Sequence, residues 1–343
     1  MDIEFHYYMT YMIAQRAGFT GTQSHIVAYS SQYVDDNDDE YIVNQGEPDE
    51  YRSSISQTMN ILRPRIELIG IYPCFHFIPG EYEHKSARRK DGKMHLLNTT
   101  PNSKLARSIF RRALKSNNLY RIGVATHAYA DTWAHQSFVG YYDYFNALKG
   151  AVDRLSPNVG HADAAHDPDI PGLVWKDERL LARHSVVDNR KRFLEAARHI
   201  FASYCRYRSP DRSKDQVAAE WLKLEADLAK AMGDVFEGRD RGKNRKKRIG
   251  RYRRLINAFE EYDEDAWFKE AIKRHVRGIP DNWHHNVLNG ARIATDKYTK
   301  KPGFADSHWV RFQEAVKAHR RDVEASYSDQ IRECVGCGQQ VGP

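Results

Sequence analysis

The chain has 343 residues, 41% of them hydrophobic and 29% charged, with a formal net charge of +7. This is a globular profile with enough length for one large or two small domains, and the basic balance makes an anionic partner plausible. No apolar run reaches the roughly 20 residues a membrane helix needs, and MDIEFHYYMT has no basic, apolar leader. A cytoplasmic, reducing compartment is therefore expected.

Residues 4–17 read as an amphipathic helix closed by Gly18, with His6 in its first turn. Thr20 or Thr22 caps a second helix that runs through HIVAYSSQYV into Asp35, Asp36, Asn37, Asp38 and Asp39. Acids at a helix C-terminus oppose its dipole, which is easier to understand beside a cation, although solvated acidic loops are common. Residues 51–62 look helical and stop before Pro64. The run IELIGIYPCFHFIPG is the most strand-like in the chain, and a short strand pair is expected around residues 66–78. It holds His76 between Phe75 and Phe77, a setting more usual for a hydrogen-bonded core histidine than for a ligand. A polar loop over 81–102 leads to a helix from Pro101 through Lys115, broken by Asn117 and Asn118.

The stretch GVATHAYADTWAHQSFVG, residues 123–140, organises the rest. His127, Asp131 and His135 lie at i, i+4 and i+8, one side of a helix over roughly 12 Å of axis. Two imidazoles flanking a carboxylate suit a divalent metal, and the central carboxylate can reach an ion on either side. Val124, Ala128, Trp133, Ala134 and Phe138 make the stretch too apolar for a solvated rod.

YYDYFNALKGAVDRL then continues as helix. The following loop, SPNVGHADAAHDPDIPG, is a second ligand-dense patch with His161, Asp163, His166, Asp167 and Asp169. Helices are expected over 190–208, 216–236, 252–275 and 306–331, with Trp283, His284 and His285 near a helix start. EGRDRGKNRKKRIGRYRRL is the strongest charge run; from Arg239 to Arg254 it could hold a polyanion or an anionic membrane, or be a flexible basic linker. Cys334 and Cys337 form CVGC in what reads as a frayed tail.

HAYADTWAHQSF resembles the metal-binding helix of the zinc-dependent phospholipase C and zinc single-strand nuclease superfamily. FHYY, SQYVDD and CFHF follow that superfamily's order, and the first two look like marks of an uncharacterised bacterial branch. The resemblance covers about residues 1–175. It implies an all-α bundle with two or three clustered zinc ions. Asp36, His76, His127 and Asp131 would hold one ion; His135, His161 and a nearby carboxylate, with His166 and Asp169 among the candidates, a second. Asp131 would bridge to a third near His6. Two departures stand out: His135 follows Asp131 by only four residues, and five residues precede His6 where the secreted enzymes use a processed N-terminal amine. Glu4 is a candidate substitute for that amine.

The implied chemistry is hydrolysis of a phosphate ester (phospholipid, nucleic acid or nucleotide), with Asp35 or Asp36 as the base. The expected organisation is a metal-binding helical core over 1–178, a helical extension over 179–330 and a flexible tail over 331–343. Two rival readings are an HD-type nucleotide phosphohydrolase, whose adjacent His-Asp pair occurs here only as His166–Asp167 in a loop, and a metal-stabilised interaction module without catalysis.

Overall fold

The computed structural model describes residues 1–58, 70–148, 160–161, 164–238, 243–275 and 296–337. The chain is mostly helical. A π-helical turn, Glu4–Met9, runs into α1 (Thr10–Ala17), which Gly18 closes at φ 100°. α2 (Gly21–Asp36) opens with a reciprocal capping box between Thr20 and Gln23, which selects Thr20 over Thr22 as its cap. After the turn α3 (Tyr72–Phe75), Ser103 caps α4 (Lys104–Lys115) and Asn118 caps α5 (Leu119–Ala134). α6 (Ala182–Ser185), α7 (Asn189–Arg208), α8 (Lys214–Met232), α9 (Lys243–Leu255), α10 (Ala266–Ala271) and α11 (His308–Cys337) follow.

Two small mixed sheets correct the all-α expectation. One orders β2 (Tyr51–Arg52), β1 (Ile42–Val43), β7 (Lys297–Lys300) and β6 (Ile272–His275); the other orders β4 (Val186–Asp188), β3 (Leu173–Lys176) and β5 (Phe236–Glu237). Each joins segments distant in sequence, as where Val43 pairs in parallel with Tyr298. Such pairings leave no periodicity in a local window.

Several local expectations change with them. Residues 51–58 are not helical, and the anticipated strand becomes, in its described part, the helical turn α3 with His76 as its cap. Residues 141–148 form a loop around the 3-10 turn Tyr144–Asn146. The basic run is helix α9 where described, and the helix expected over 252–275 ends at Leu255, resuming only as α10 before β6. CVGC extends α11 instead of fraying. The expectations for residues 59–69, 149–159, 283–285 and 338–343, and for Asp163, lie outside the described residues.

One apolar core runs from Met1 to Val323. α7 packs on α1 and α5, while α11 packs on α5, α4 and α3, so both halves of the chain enclose α5. The second half is thus part of the same core as the first.

Candidate metal centre

α5 is buried over nearly its whole length. It passes close to α2 at Gly123, where a Cβ would lie 2.5 Å from both Ser30 Cβ and the Val27 carbonyl oxygen. Only glycine permits that approach. One turn later it brings His127 Nδ1 to 2.7 Å from the Ser31 carbonyl.

Three more histidines are held in the same manner. His76 Nε2 lies 3.0 Å from the Ser56 carbonyl, His135 Nδ1 2.8 Å from the His76 carbonyl, and His161 Nδ1 2.7 Å from the Ala165 carbonyl. A carbonyl can only accept, so each of these ring nitrogens carries the proton. The other nitrogen of each ring is left with a lone pair, the arrangement in which protein histidines bind metals.

Those lone pairs converge. His127 Nε2 faces His76 Nδ1 at 3.0 Å, and Asp131 Oδ2 lies 3.2 Å and 3.3 Å from the two. Asp35 Oδ1 closes this group at 3.6 Å from His127 Nε2 and 3.7 Å from His76 Nδ1. Lone pairs and carboxylate oxygens this close repel unless a cation sits among them. The other oxygen of Asp131, Oδ1, lies 3.1 Å from His6 Nε2. His6 stacks on His127 at 3.8 Å between ring centres, and its buried ring nitrogens have no well-aligned hydrogen-bond partner among the described residues. The Met1 amine rests against Asp131 Oδ1 and lies 3.2 Å from Asp169 Oδ1. In a third group, Asp169 Oδ1 is 3.0 Å from His135 Nε2 and Oδ2 is 3.4 Å from His161 Nε2. Within each of the three sets, ligand atoms lie within 4.8 Å of one another.

The electrostatics fit a cation centre. Burial and the nearby Met1 ammonium push His6 down to about 4, and burial does the same to His161. Both are therefore neutral ligands at physiological pH. Burial alone would raise Asp131, but His135, the Met1 ammonium and His127 hold it well below the usual carboxylate range. Burial would lower the Met1 amine, yet Asp131, Asp169 and Asp35 hold it up at about 11. Asp35 is pushed well above the carboxylate range by burial and by the charge of Asp131.

His6, His76, His127, Asp131, His135, His161 and Asp169 therefore meet in one centre, and Asp169 is the carboxylate beside His161. Three expectations are corrected. Asp36 points away: its Oδ2 accepts from Gln32 Nε2 at 3.0 Å and from the Tyr262 hydroxyl. Asp35, expected only as a base, takes its place as the ligand-type carboxylate. It lies on the α2 stripe that includes Val27 and Ser31 and faces α5, a helical-register signal present in the sequence. His166 is exposed and only precedes the 3-10 turn Asp167–Asp169. Glu4 is no substitute ligand, because Arg248 Nε and Nη2 both donate to its carboxylate at 2.8 Å. His135 shares the side of His127 and Asp131 as expected, standing at the C-cap of α5 with its N–H donating to the Asp131 carbonyl at 2.8 Å and its Nδ1 3.5 Å from Asp131 Oδ2. From there its Nε2 faces Asp169.

No curated protein and no solved structure matches the chain. A family model does match residues 1–327, and the chain belongs to that family, a family of unknown function (DUF6765).

Proposed function

We propose that the protein is a metal-dependent hydrolase of phosphate esters, with two or three divalent ions, zinc foremost, held by the eight converging side chains. The donor set fits zinc: neutral imidazoles and carboxylates, with four of the five histidines oriented by carbonyls. Clustered ions of this kind supply an activated water near neutral pH and offset the charge that develops on phosphoryl oxygens.

The observation that carries catalysis over mere stapling is the His135–His161–Asp169 group, which offers three protein ligands among the described residues. A structural zinc site takes four protein ligands, whereas three leave a position for water or substrate. This group is also reachable, since the side chains of His161 and Asp169 are 18% and 11% exposed while His6, His127 and Asp131 are sealed. Asp131 spans two groups with its two oxygens. Asp35, 25% exposed beside His76 and His127, is placed to accept a proton from an attacking water or to join the ligands.

The test is elemental analysis of the purified protein with turnover of bis(p-nitrophenyl) phosphate and of phospholipid, nucleic acid and nucleotide substrates. Two or three ions per chain are expected, with activity lost on chelation and restored by zinc. Full metal content with no turnover on any of these substrates would return the ions to a purely structural role.

A further inference from the structure

Two surface loops, 81–97 and 141–146, lock together through one hub. Arg89 Nη1 donates to the Phe145 carbonyl at 2.6 Å, and its guanidinium lies 4.5 Å over the Phe145 ring. The His95 ring sits 5.5 Å from Phe145, and His95 Nε2 lies 2.8 Å from the Tyr141 hydroxyl. Beneath them Leu97, Val139, Tyr141 and Phe145 form a separate apolar cluster. The hub fixes its sequence neighbours at the surface, where Met94 is 64% exposed, Leu96 44% and Tyr144 74%. Arg88, Lys90 and Lys93 are exposed in the same loop. Single exposed apolar residues are ordinary, but three flanking one locked hub in sequence, with exposed cations in the same loop, mark an interaction face. The face adjoins the metal centre: Thr99 N–H donates to the Phe138 carbonyl at 2.9 Å and Ser137 N–H to the Thr99 carbonyl at 3.0 Å, just past His135.

We propose that this face docks the protein on an anionic lipid surface. Met94, Leu96 and Tyr144 enter the headgroup region, and Arg88, Lys90 and Lys93 meet the lipid phosphates. Charge complementarity commits the face to this occupant. Three of the four acids in the two loops are engaged, Asp91 by Arg89, Asp143 by Phe145 N–H at 2.7 Å and Glu81 by Lys104 N–H at 2.8 Å, so the exposed Glu83 stands against the exposed Lys85, Arg88, Lys90 and Lys93 and the balance stays basic. A nucleic acid would suit the cations but leave the Met94 and Leu96 chains in water, because neither offers a stacking plane. The basic helix α9 is the weaker lipid face: Arg248 is held by Glu4, Arg253 pairs with Glu261 and Arg251 donates to the Ala231 carbonyl, and among the described residues it exposes no large apolar side chain beside its remaining cations. Docking does not depend on the hydrolase reading, because it needs no metal and is read by binding alone.

The experiment is co-sedimentation of the full chain with vesicles of phosphatidylglycerol and phosphatidylcholine, against phosphatidylcholine alone, in chelator. The wild type should partition onto the anionic vesicles. Met94→Ser/Leu96→Ser/Tyr144→Ser should lose that partitioning, and Lys90→Glu/Lys93→Glu should weaken it by roughly thirtyfold and flatten its salt dependence. Lys246→Glu/Lys247→Glu on α9 should bind as the wild type does. The charge variant, altered only at exposed residues, keeps the test decisive if the apolar variant unfolds. The proposal falls if the wild type shows no preference for anionic vesicles, or if the loop variants bind unchanged. It falls equally if light scattering finds a dimer that the apolar variant dissolves, which would make the face a contact between two copies.

Discussion

Arg248→Met tests whether the buried Glu4–Arg248 pair ties the second half of the chain to the turn that carries His6. Glu4 precedes His6 by two residues on the π-helical turn, is fully buried, and has both carboxylate oxygens taken by Arg248 at 2.8 Å. Burial and the charge of Asp2 already push the Glu4 carboxyl upward against the pull of Arg248. Removing the guanidinium leaves a buried carboxylate without a partner, which costs about 3–5 kcal/mol. Replacing both residues, as Glu4→Leu/Arg248→Met, removes the unpaired charge and should recover most of that loss, a coupling of roughly 2 kcal/mol or more. Urea unfolding of the wild type, both single variants and the double variant in chelator gives the four free energies. A single-variant cost below about 1 kcal/mol, or a double variant no better than Arg248→Met, would refute the reasoning. The first result would mean that water reaches the pair; the second, that shape rather than charge matters there.

Asp131→Asn should lose at least one ion per chain and abolish any phosphoesterase turnover, because the two Asp131 oxygens face different ligand groups; full metal content by elemental analysis would contradict this. Asp35→Asn should lower metal content, whereas Asp36→Asn should leave it unchanged and cost only about 1 kcal/mol of stability in urea titration, since Asp36 is bonded to Gln32 and Tyr262. Gly123→Ala should push α2 off α5, costing about 1–3 kcal/mol and weakening metal retention through the His127–Ser31 bond, measured by unfolding and chelator competition. In the metal-free protein, His6 and His161 ionise only near pH 4, against an ordinary value of 6.5. The unfolded chain takes up protons first, so their contribution to stability should fall by several kcal/mol as pH drops from about 7 to 4. Urea midpoints in chelator measure this, and His6→Gln and His161→Gln should each reduce the slope over that window.

The sequence by itself determined the elements whose signal is local. Thr20, one of two candidate caps, opens the helix that follows it, and the helix read from Pro101 through Lys115 is present as Lys104–Lys115, with Ser103 as the cap the sequence reading did not single out. The spacing of His127, Asp131 and His135 in an apolar setting marked the centre, because four-residue spacing on a helix fixes a shared face whatever surrounds it. Tertiary structure decided the rest. Asp35 and Asp36 are chemically identical neighbours, and only the packing of α2 against α5 and of Tyr262 against Asp36 distinguishes them. Asp169 is distinguished from the other acids of its loop only by the packing that sets it against His135 and His161. The sheets join Val43 to Tyr298 and Leu173 to Phe236, partners too far apart in sequence for any local pattern to record. The basic run from Arg239 to Arg254 reads as a polyanion or membrane contact or a flexible linker, and nothing in it singles out Arg248, which pairs with the buried Glu4 some 240 residues earlier. The physical reason is the same in each case. A helical repeat is a property of one segment, whereas a buried charge or a ligand set is defined by whichever distant segment packs against it.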